Sequence, residues 1–416
     1  MQHLWGERRR LRLPPQQQGA ALLMLLLIIL LSAAYTVMGT FSATTLKIER
    51  QNKTTEALAQ AKEALIAWSV LQGDVGKYTN SRPGNLPCPD TTNSGIQNST
   101  CVSTSGAING KTIGRLPWRT LKIEDLCDAA GERLWYALSD KFRNTELNPN
   151  AINSDTLGSL KLYASDGKTL LTLAGEELVA VIFSAGSPLA GQNREADQNN
   201  VANYLDTANN QNNANASGPF ISGPIQNSQG DTILNDHLIT ISAAELIGAI
   251  EKRALKEAQN ALAAFALDNG GKYPNPAKRN DTVCISTITN ITNPSICPSA
   301  SNQCFGRLPE DSVEHYAASW FKQNGWGRTM TYAVNKNDVV DGSASSCSTL
   351  LKVNGQIKSY VIVAPGSTKS GRIRPSSTLV NYLEDAENQD AWTTGVAQRN
   401  FIKPKNTSND QLRSVP

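Results

Sequence analysis

The hydrophobic pattern of the chain begins with a mostly apolar run of 22 residues, from Ala20 to Phe41, that contains no charged side chain. A helix of that length rises roughly 30 Å, which matches the hydrocarbon thickness of a bilayer. Four arginines stand between residues 8 and 12, and basic residues favour the cytoplasmic side of a membrane. The pattern predicts one transmembrane helix with the rest of the chain exported. A cleavable secretory signal is the alternative, although its apolar region would be shorter.

The helical pattern continues beyond the apolar run. Residues 42–72 lack Gly and Pro, and apolar side chains recur there at the spacing of one helix face. That face consists of Ala57, Ala61, Ala64, Leu65 and Trp68. We therefore expect one helix over residues 20–73, whose first half lies in lipid and whose second half packs against a globular head.

The remainder of the chain contains an internal duplication, in which short blocks recur in the same order. The paired blocks are 56–70 with 253–267, 76–78 with 271–273, 114–117 with 306–309, 131–137 with 327–333, 181–187 with 361–367, and 203–205 with 381–383. The chain is expected to carry two copies of one head, at residues 74–241 and 242–416, which we call the first and the second copy.

Each copy combines a helix with β-branched, apolar segments typical of strands. The expected strands are residues 134–138, 177–183, 330–334 and 359–363. Ser242 followed by Glu245 forms a capping box, which predicts a helix from Ala243 to Asp268 that joins the two copies. The predicted fold class is α+β, with a long N-terminal helix and two tandem α/β heads built on antiparallel sheets.

Composition and charge exclude several classes of protein. The 416 residues are 40% hydrophobic and 18% charged, with a formal charge of +3. The segment before Gly19 carries four arginines against Glu7, so the rest of the chain is neutral (3 − 3 = 0). A neutral surface has no field that attracts phosphates, and we expect no nucleic-acid partner. The three histidines, His3, His237 and His315, are far apart in sequence and offer little for metal or acid–base chemistry.

The leader and the start of the apolar run form one motif. It consists of the basic segment, Gln16-Gln17-Gln18-Gly19, and then Ala20-Ala21-Leu22-Leu23-Met24. This motif resembles the N-terminus of the type IV pilin and type II secretion pseudopilin superfamily. The resemblance implies that a prepilin peptidase cleaves after Gly19 and methylates the new N-terminus, Ala20.

One position departs from the family pattern. Most members carry a glutamate five residues past the cleavage site, where this chain has Met24. In the family, that carboxylate is thought to pair with the N-terminal ammonium of a neighbouring subunit. A subunit without it suits the tip of a filament, because a buried charge helps only when its partner is present. An ordinary signal anchor, in which Met24 is one more apolar residue, is the alternative.

The heads carry further likeness to pseudopilins. Residues 267–274 match the turn that ends the family's helix, Trp326-Gly327 with Tyr332 match its Trp-Gly…Tyr element, and Ser184-Ala185-Gly186 match its strand-ending turn. Two heads on one chain depart from the usual single head.

Some family heads hold a calcium ion in the loop after the last strand. Here the first copy offers Glu195 and Asp197, whereas the second copy has Gly371-Arg372-Ile373-Arg374. Calcium requires several oxygen ligands, which arginines cannot supply. Asp197 is therefore the one weak metal candidate, and a solvated loop aspartate is the alternative.

Seven cysteines in a chain expected to be exported predict disulfides. Cys88 and Cys101 are 13 residues apart, and so are Cys284 and Cys297 in the equivalent loop of the second copy. Equal spacing in two copies indicates two local bridges. Cys304 and Cys347 could form a third, which would leave Cys127 over. Zinc binding is the rival, but no Cys-x-x-Cys spacing occurs.

No residue pattern predicts catalysis or a cofactor. The chain contains no Gly-x-Ser-x-Gly, and Glu132-Arg133 is interpreted as a surface or interface pair. Five aromatic residues are interpreted as core anchors: Trp118, Trp135, Tyr136, Trp326 and Tyr332.

The resemblance implies a minor pilin or pseudopilin, a non-enzymatic filament subunit in a tip or priming role. Its expected partners are other pilins through the N-terminal helix, the prepilin peptidase and the inner membrane, with the heads in the periplasm. The alternative is an uncleaved module, anchored in the inner membrane, that binds a partner through its heads.

Overall fold

The computed structural model describes residues 18–73, 82–99, 101, 112–143, 151–288, 293–341, 350–391, 399–403, 405 and 408–415. Contacts divide the chain into two units, Met1–Lys53 and Thr54–Pro416. The predicted leader up to residue 17, the block 76–78 and Cys347 lie outside the described residues.

The α-helices of the described segments include one very long and one long helix, with short helices between strands. They are α1 (Gln18–Leu71), α2 (Trp118–Leu121), α3 (Ala243–Asp268), α4 (Glu310–Val313), α5 (Ser319–Gln323), α6 (Trp326–Thr329) and α7 (Ala386–Asp390).

The strands of the described residues lie on either side of α3 in the sequence. Those before α3 are β1 (Ile113–Arg115), β2 (Trp135–Leu138), β3 (Leu162–Tyr163), β4 (Leu178–Ser184), β5 (Thr207–Ala208), β6 (Gln211–Asn212), β7 (Phe220–Ile221), β8 (Ile225–Gln226), β9 (Thr232–Leu234) and β10 (His237–Ser242). Those after α3 are β11 (Phe305–Arg307), β12 (Thr331–Val334), β13 (Leu351–Val353), β14 (Gln356–Ile357), β15 (Tyr360–Ala364), β16 (Arg399–Phe401) and β17 (Gln411–Val415).

The beginning of α1, in the first unit, presents apolar side chains to solvent. All ten side chains from Leu22 to Leu31 are more than half exposed. Among residues 18–71 and the other described segments, no helix has both the length and the apolar character needed to cross a membrane. The transmembrane half that we predicted for this helix is therefore not confirmed.

The end of α1, in the second unit, packs as its periodicity predicts. The predicted face is buried in the main core or packs against it: Ala57, Ala61, Ala64, Leu65 and Trp68. The helix ends at Leu71, just before Gly73, whose φ of 92° is readily adopted only by glycine.

The helix α3 has the bounds that the sequence predicts, Ala243–Asp268. The backbone N–H of Glu245 donates to Oγ of Ser242 at 3.2 Å, and the backbone N–H of Ser242 donates to the Glu245 carboxylate at 2.9 Å. The predicted capping box is thereby confirmed.

Two four-stranded antiparallel sheets share the same strand order. The first is β1-β2-β4-β10 and the second is β11-β12-β15-β17. Their registers correspond, since Ala137 lies opposite Val181 in the first sheet and Ala333 lies opposite Val361 in the second. The duplication in the sequence therefore corresponds to a duplicated sheet, and the predicted α+β class with antiparallel sheets is confirmed.

Both sheets contribute one face to a single hydrophobic core. Tyr136 and Ile182 of the first sheet and Tyr332 and Ile362 of the second are fully buried in the same cluster as Leu255 of α3. The two copies therefore share one core within the unit Thr54–Pro416. The prediction of two tandem pilin-like heads is not confirmed.

The opposite face of each sheet is covered by loops of its own copy. Trp135 and Phe183 pack there with Tyr204 in the first copy, and Val361 packs with Tyr382 in the second. Because both faces are buried, the central strands are apolar throughout rather than alternating.

The four predicted strands are confirmed as β2, β4, β12 and β15. No end of these strands differs from its predicted position by more than one residue. The edge strands β1 and β11 and the closing strands β10 and β17 were not predicted. Two parallel pairs, β3 with β7 and β13 with β16, were not predicted either. Those of two or three residues, unlike β10 and β17, are too short to show a period, so tertiary pairing decides them.

Within the second unit, the end of α1 contacts α3, and the two helices run in the same direction. Lys62 of α1 forms an ion pair with Glu245 of α3, and the Arg253 guanidinium donates to the backbone oxygen of Gln72 at 2.8 Å. Lys62 and Glu245, which contact each other, are 183 residues apart in sequence. Equivalent positions of the two duplicated helix blocks, which begin at residues 56 and 253, are 197 residues apart. Equivalent residues of the two helices are thus displaced along the helix axis by 197 − 183 = 14 residues, or about 21 Å.

Candidate functional site

In the first copy, Tyr204 lies between two arginine guanidinium groups. Cζ of Arg115 is 4.5 Å and Cζ of Arg194 is 4.8 Å from the tyrosine ring centroid, within the range of cation–π attraction. Arg194 also donates to the backbone oxygens of Gly186 at 2.7 Å and Asn203 at 3.2 Å. It therefore ties the turn after β4 to the turn that carries the tyrosine. We call this arrangement an arginine cage.

The second copy contains the same cage. Cζ of Arg307 and Cζ of Arg374 lie 4.8 and 4.7 Å from the ring centroid of Tyr382. Arg374 donates to the backbone oxygen of Gly366 at 2.8 Å, just as Arg194 does at the equivalent glycine of the first copy. The cage is therefore a property of the duplicated fold.

The repeated Gly-Arg sequence positions the first arginine of each cage. A Cβ atom on Gly114 would lie 2.6 Å from the backbone oxygen of Asp90, to which the Arg115 N–H donates at 2.8 Å. Gly306 approaches the backbone oxygen of Ala277 in the same way in the second copy. Only glycine allows the neighbouring segment to come this close, and the arginine that follows is held at the sheet edge.

The loop that the resemblance linked to calcium is organised by the arginine of each cage. In the first copy, the carboxylate of Asp197 accepts a hydrogen bond from the backbone N–H of Asn199 at 2.9 Å. Among the described residues, no group of three or more His, Cys, Asp or Glu side chains is placed to hold a metal ion. Arg194 and Arg374 donate to backbone oxygens at the start of these loops, those of Gly186 and Gly366.

A cleft of about 320 Å³ opens beside the cage of the first copy. Its lining is polar and is formed by Asn93, Arg115, Gly131, Glu132, Arg133, Arg194, Glu195, Gln198 and Tyr204. Three arginines and two glutamates give this lining a formal charge of 3 − 2 = +1.

The arginines of the cleft differ in their ion pairs. Arg194 pairs with Glu132 at 3.0 Å, and Arg133 pairs with Asp125 at 2.6 Å. Arg115 is only 4% exposed, and its Nε has no hydrogen-bond partner among the described residues. Burial lowers the pKa of Arg115, and the nearby Tyr204 and Glu132 oppose that shift. Among the described residues, Arg115 therefore makes fewer hydrogen bonds than Arg133 and Arg194, the other two arginines of the cleft.

The cage of the second copy is covered by a carboxylate from the first copy. The Tyr382 hydroxyl donates to Oδ2 of Asp155 at 3.4 Å. Burial raises the pKa of the Asp155 carboxyl, whereas the positive charges of Arg374 and Arg307 lower it. The second cage therefore has an acidic partner within the chain.

Each copy also carries an Asn-Asp dipeptide before its last strand, a repeat that the sequence analysis missed. These dipeptides are Asn235-Asp236 and Asn409-Asp410. In the first copy, the Asn235 N–H donates to the Asp206 carboxylate at 2.8 Å, and the Asp206 N–H donates to the Asp236 carboxylate at 2.9 Å. The burial of Asp236, and then the charge of Asp206, raise the pKa of Asp236. Aligning the segments before β10 and β17 would have revealed this repeat.

Both cysteine pairs predicted from equal spacing form disulfides, Cys88–Cys101 and Cys284–Cys297. Cys304 is also disulfide-bonded, and its predicted partner Cys347 lies outside the described residues. Cys127 takes no part in the two described bridges, and its thiol lies 3.8 Å from the backbone oxygen of Asp125.

The predicted cleavage site lies at the beginning of α1. Gly19 and Ala20 belong to the first turn of this helix, while the basic leader lies outside the described residues. Met24 is 70% exposed, within the apolar run. Cleavage and methylation therefore stay predictions.

The other residues singled out from the sequence are structural. Glu132 and Arg133 each form an ion pair at the cleft, as reported above. Four of the five aromatic residues are almost fully buried, as predicted: Trp135, Tyr136, Trp326 and Tyr332. Trp118 is partly exposed and stacks with Arg119 at 4.9 Å.

Comparison with known proteins gives no relative of this chain. No protein family matches it, and neither does any curated protein or solved structure.

Proposed function

We propose that the chain is a minor subunit of a type IV pilus or a type II secretion-type filament, with no enzymatic activity of its own. The observation that carries this proposal is the exposed apolar run of α1, from Leu22 to Leu31. Each leucine or isoleucine that leaves water contributes about 1.5–3 kcal/mol. Nine leucines and isoleucines, together with Met24, provide a strong driving force for packing against the equivalent helices of neighbouring subunits.

The contact between α1 and α3 supports a filament in a second way. These duplicated helices run parallel with an offset of about 21 Å. A parallel contact with an axial offset is heterologous, and such a contact produces an open helical assembly when it is repeated between chains. The sequence of this protein is thus compatible with staggered, parallel helix packing.

The N-terminal motif supports the route into the filament. The resemblance assigns cleavage after Gly19 and methylation of Ala20, and Met24 removes the carboxylate that most members carry. A tip or priming subunit needs no such carboxylate, because a lone charge inside an apolar bundle costs several kcal/mol. Before assembly the subunit would be held in the inner membrane, and this step depends on the apolar sequence from Ala20 to Phe41.

Mass spectrometry of the mature N-terminus tests the proposal. We expect a chain that begins with methylated Ala20 and that is present in sheared filaments. Gly19→Val should block cleavage and incorporation, whereas Gly6→Val, in the same leader, should leave both intact. A mature chain that still begins at Met1 in cells with an active prepilin peptidase would contradict the proposal. It would favour the anchored binding module instead.

A further inference from the structure

Each copy holds a pair of acidic residues that joins the turn after the cage tyrosine to the segment before the last strand. In the first copy this pair is Asp206 and Asp236, whose hydrogen bonds are given above. In the second copy, the N–H of Asn409 donates to the Glu384 carboxylate at 2.9 Å, and the N–H of Glu384 donates to the Asp410 carboxylate at 3.0 Å. The carboxylate pair is therefore, like the arginine cage, a property of the duplicated fold.

The pair of the first copy closes the segment that carries β5 to β9, residues 207–234. Asp206 lies just before this segment and Asp236 lies just after it. Within the segment, Nδ2 of Asn213 donates to the Asp236 carboxylate at 2.9 Å, and the N–H of Ile221 donates to Oδ1 of Asn213 at 2.8 Å. The buried apolar side chains of the segment are few, namely Ala208, Phe220, Ile221 and Leu234. Its closure therefore depends strongly on these polar contacts.

The two carboxyl groups of this pair lie where two negative charges are poorly solvated. Asp236 is fully buried and Asp206 is 6% exposed. Oδ1 of Asp236 accepts no hydrogen bond from the described residues, so ionisation would place charge on a buried oxygen without a donor. Burial, and then the charge of Asp206, raise the pKa of Asp236, and burial also raises the pKa of Asp206. The charge of Arg194 opposes both shifts, but this arginine already pairs with Glu132 at 3.0 Å.

The pair of the second copy has a cation beside it. Nζ of Lys369 lies 2.6 Å from the Glu384 carboxylate. Leu189 stands at the equivalent position of the first copy, two residues after the repeated block 181–187. Burial alone would raise the pKa of Glu384, whereas the hydrogen bond and the charge of Lys369 help to bring that pKa below its ordinary value. The pKa values of the equivalent acids Asp206 and Glu384 are therefore shifted in opposite directions.

We propose that Asp206 and Asp236 form a pH-sensitive clip, which is closed when the pair holds one proton and opens when both carboxyl groups are ionised. Two carboxyl groups that share a buried site resist double ionisation, because each negative charge disfavours the other. When the remaining proton leaves, repulsion between the charges weakens the hydrogen bonds that hold residues 207–234 against the start of β10. This inference is independent of the filament proposal, because all its residues lie in the unit Thr54–Pro416.

The direction of the pH dependence follows from the raised pKa of Asp236. The stability that this group contributes is fully present below the unfolded value of 3.8 and is lost as the pH rises through about 8. The clip should therefore be closed in acidic and neutral solution and open in alkaline solution. Burial raises the pKa of Asp410 as well, so the two pairs must be distinguished by a local measurement.

Hydrogen exchange of the full chain in a nonionic detergent, followed by mass spectrometry, tests the clip. Exchange of residues 207–234 is compared between about pH 6 and about pH 9, a range that contains the raised pKa of Asp236, and is corrected for base catalysis. We expect exchange at least about tenfold faster at the higher pH after this correction, while β12 and β15 stay protected. Protection of these two strands distinguishes opening of the clip from unfolding of the whole unit.

Three variants test which groups carry the response. Asp236→Asn keeps an acceptor oxygen and cannot ionise, so it should abolish the alkaline acceleration. Leu189→Lys places an ammonium group where the second copy has Lys369, and it should move the acceleration to higher pH. Asp410→Asn, the same change in the second copy, should leave the response of residues 207–234 unchanged.

The proposal is overturned if residues 207–234 of the unchanged protein show no alkaline acceleration, or if Asp236→Asn shows as much of it as the unchanged protein. If Asp236→Asn does not fold, Leu189→Lys decides the question. An acceleration at the same pH in Leu189→Lys and in the unchanged protein would then contradict the clip.

Discussion

The hydroxyl of Tyr382 donates to the carboxylate of Asp155 at 3.4 Å, across 227 residues of sequence. This hydrogen bond joins the second copy to the first at the point where two arginines flank the tyrosine ring. The two copies are therefore connected by a buried polar contact as well as by a shared apolar core.

Replacing Asp155 with Ala should lower the free energy of unfolding by about 1–3 kcal/mol, because the Tyr382 hydroxyl loses its hydrogen-bond acceptor. Chemical denaturation of the full chain in detergent measures the change. Asp197→Asn, on an exposed loop, should have little effect. An equal loss in both variants would mean that the cage does not depend on its acidic partner.

The carboxyl group of Glu251 should make stability depend on pH. Burial raises its pKa to about 8, although Ser154, Arg374 and Gly366 oppose that shift. Because the folded-state pKa lies above the unfolded value of 4.5, the associated stability is present below pH 4.5 and is lost as the pH rises through 8.

Glu251→Gln should therefore flatten the decline in stability between pH 4.5 and 8, by up to about 1.4 kcal/mol per pH unit. Thermal midpoints across this range provide the measurement. The exposed Glu195→Gln is the control. A variant with the slope of the unchanged protein would show that Glu251 is not the titrating group.

The two described disulfides close loops of equal length, with separations of 13 residues. Cys88→Ser and Cys284→Ser should each lower the free energy of unfolding by about 3 kcal/mol, since loop length sets the entropy of the unfolded chain. Cys127→Ser, outside both bridges, is the control in denaturant titrations. A much larger loss at one bridge would contradict this equal contribution.

Removing the capping hydroxyl of α3 with Ser242→Ala should lower the free energy of unfolding by about 1 kcal/mol. The reason is that the backbone N–H of Glu245 loses its acceptor at 3.2 Å. Denaturant midpoints test this change, with the exposed Ser228→Ala for comparison. Equal midpoints for the two variants would argue against the capping contribution.

The apolar run of α1 should be needed for filament assembly and not for folding of the second unit. Leu27→Asp places a charge where Leu27 is 58% exposed, so filament incorporation should fall at least tenfold while the thermal midpoint stays unchanged. Leu267→Asp, at an 85% exposed position of α3, should incorporate normally. Quantitative immunoblots of sheared filaments measure both. Normal incorporation of Leu27→Asp would count against the helix as the assembly surface.

The arginine cages show where sequence reasoning succeeded and where it stopped. The blocks at 114–117 and 203–205 were recognised as repeats, although their arginine and tyrosine were not recognised as contacting partners. Arg374 was considered only as part of a loop unsuited to calcium, and Arg194 was not singled out. Their contacts depend on loops whose paths are set by distant backbone carbonyls, and loop length in the two copies differs.

By itself the sequence determined the bounds of α3, the central strands, the two disulfides and the duplication. These features depend on local signals, such as the Ser242 capping box, apolar segments and equal cysteine spacing. Only the tertiary structure decided that the two copies share one core and that Asp155 reaches Tyr382. Both contacts join residues far apart in sequence, and their formation depends on how the sheets and helices pack together rather than on any local pattern.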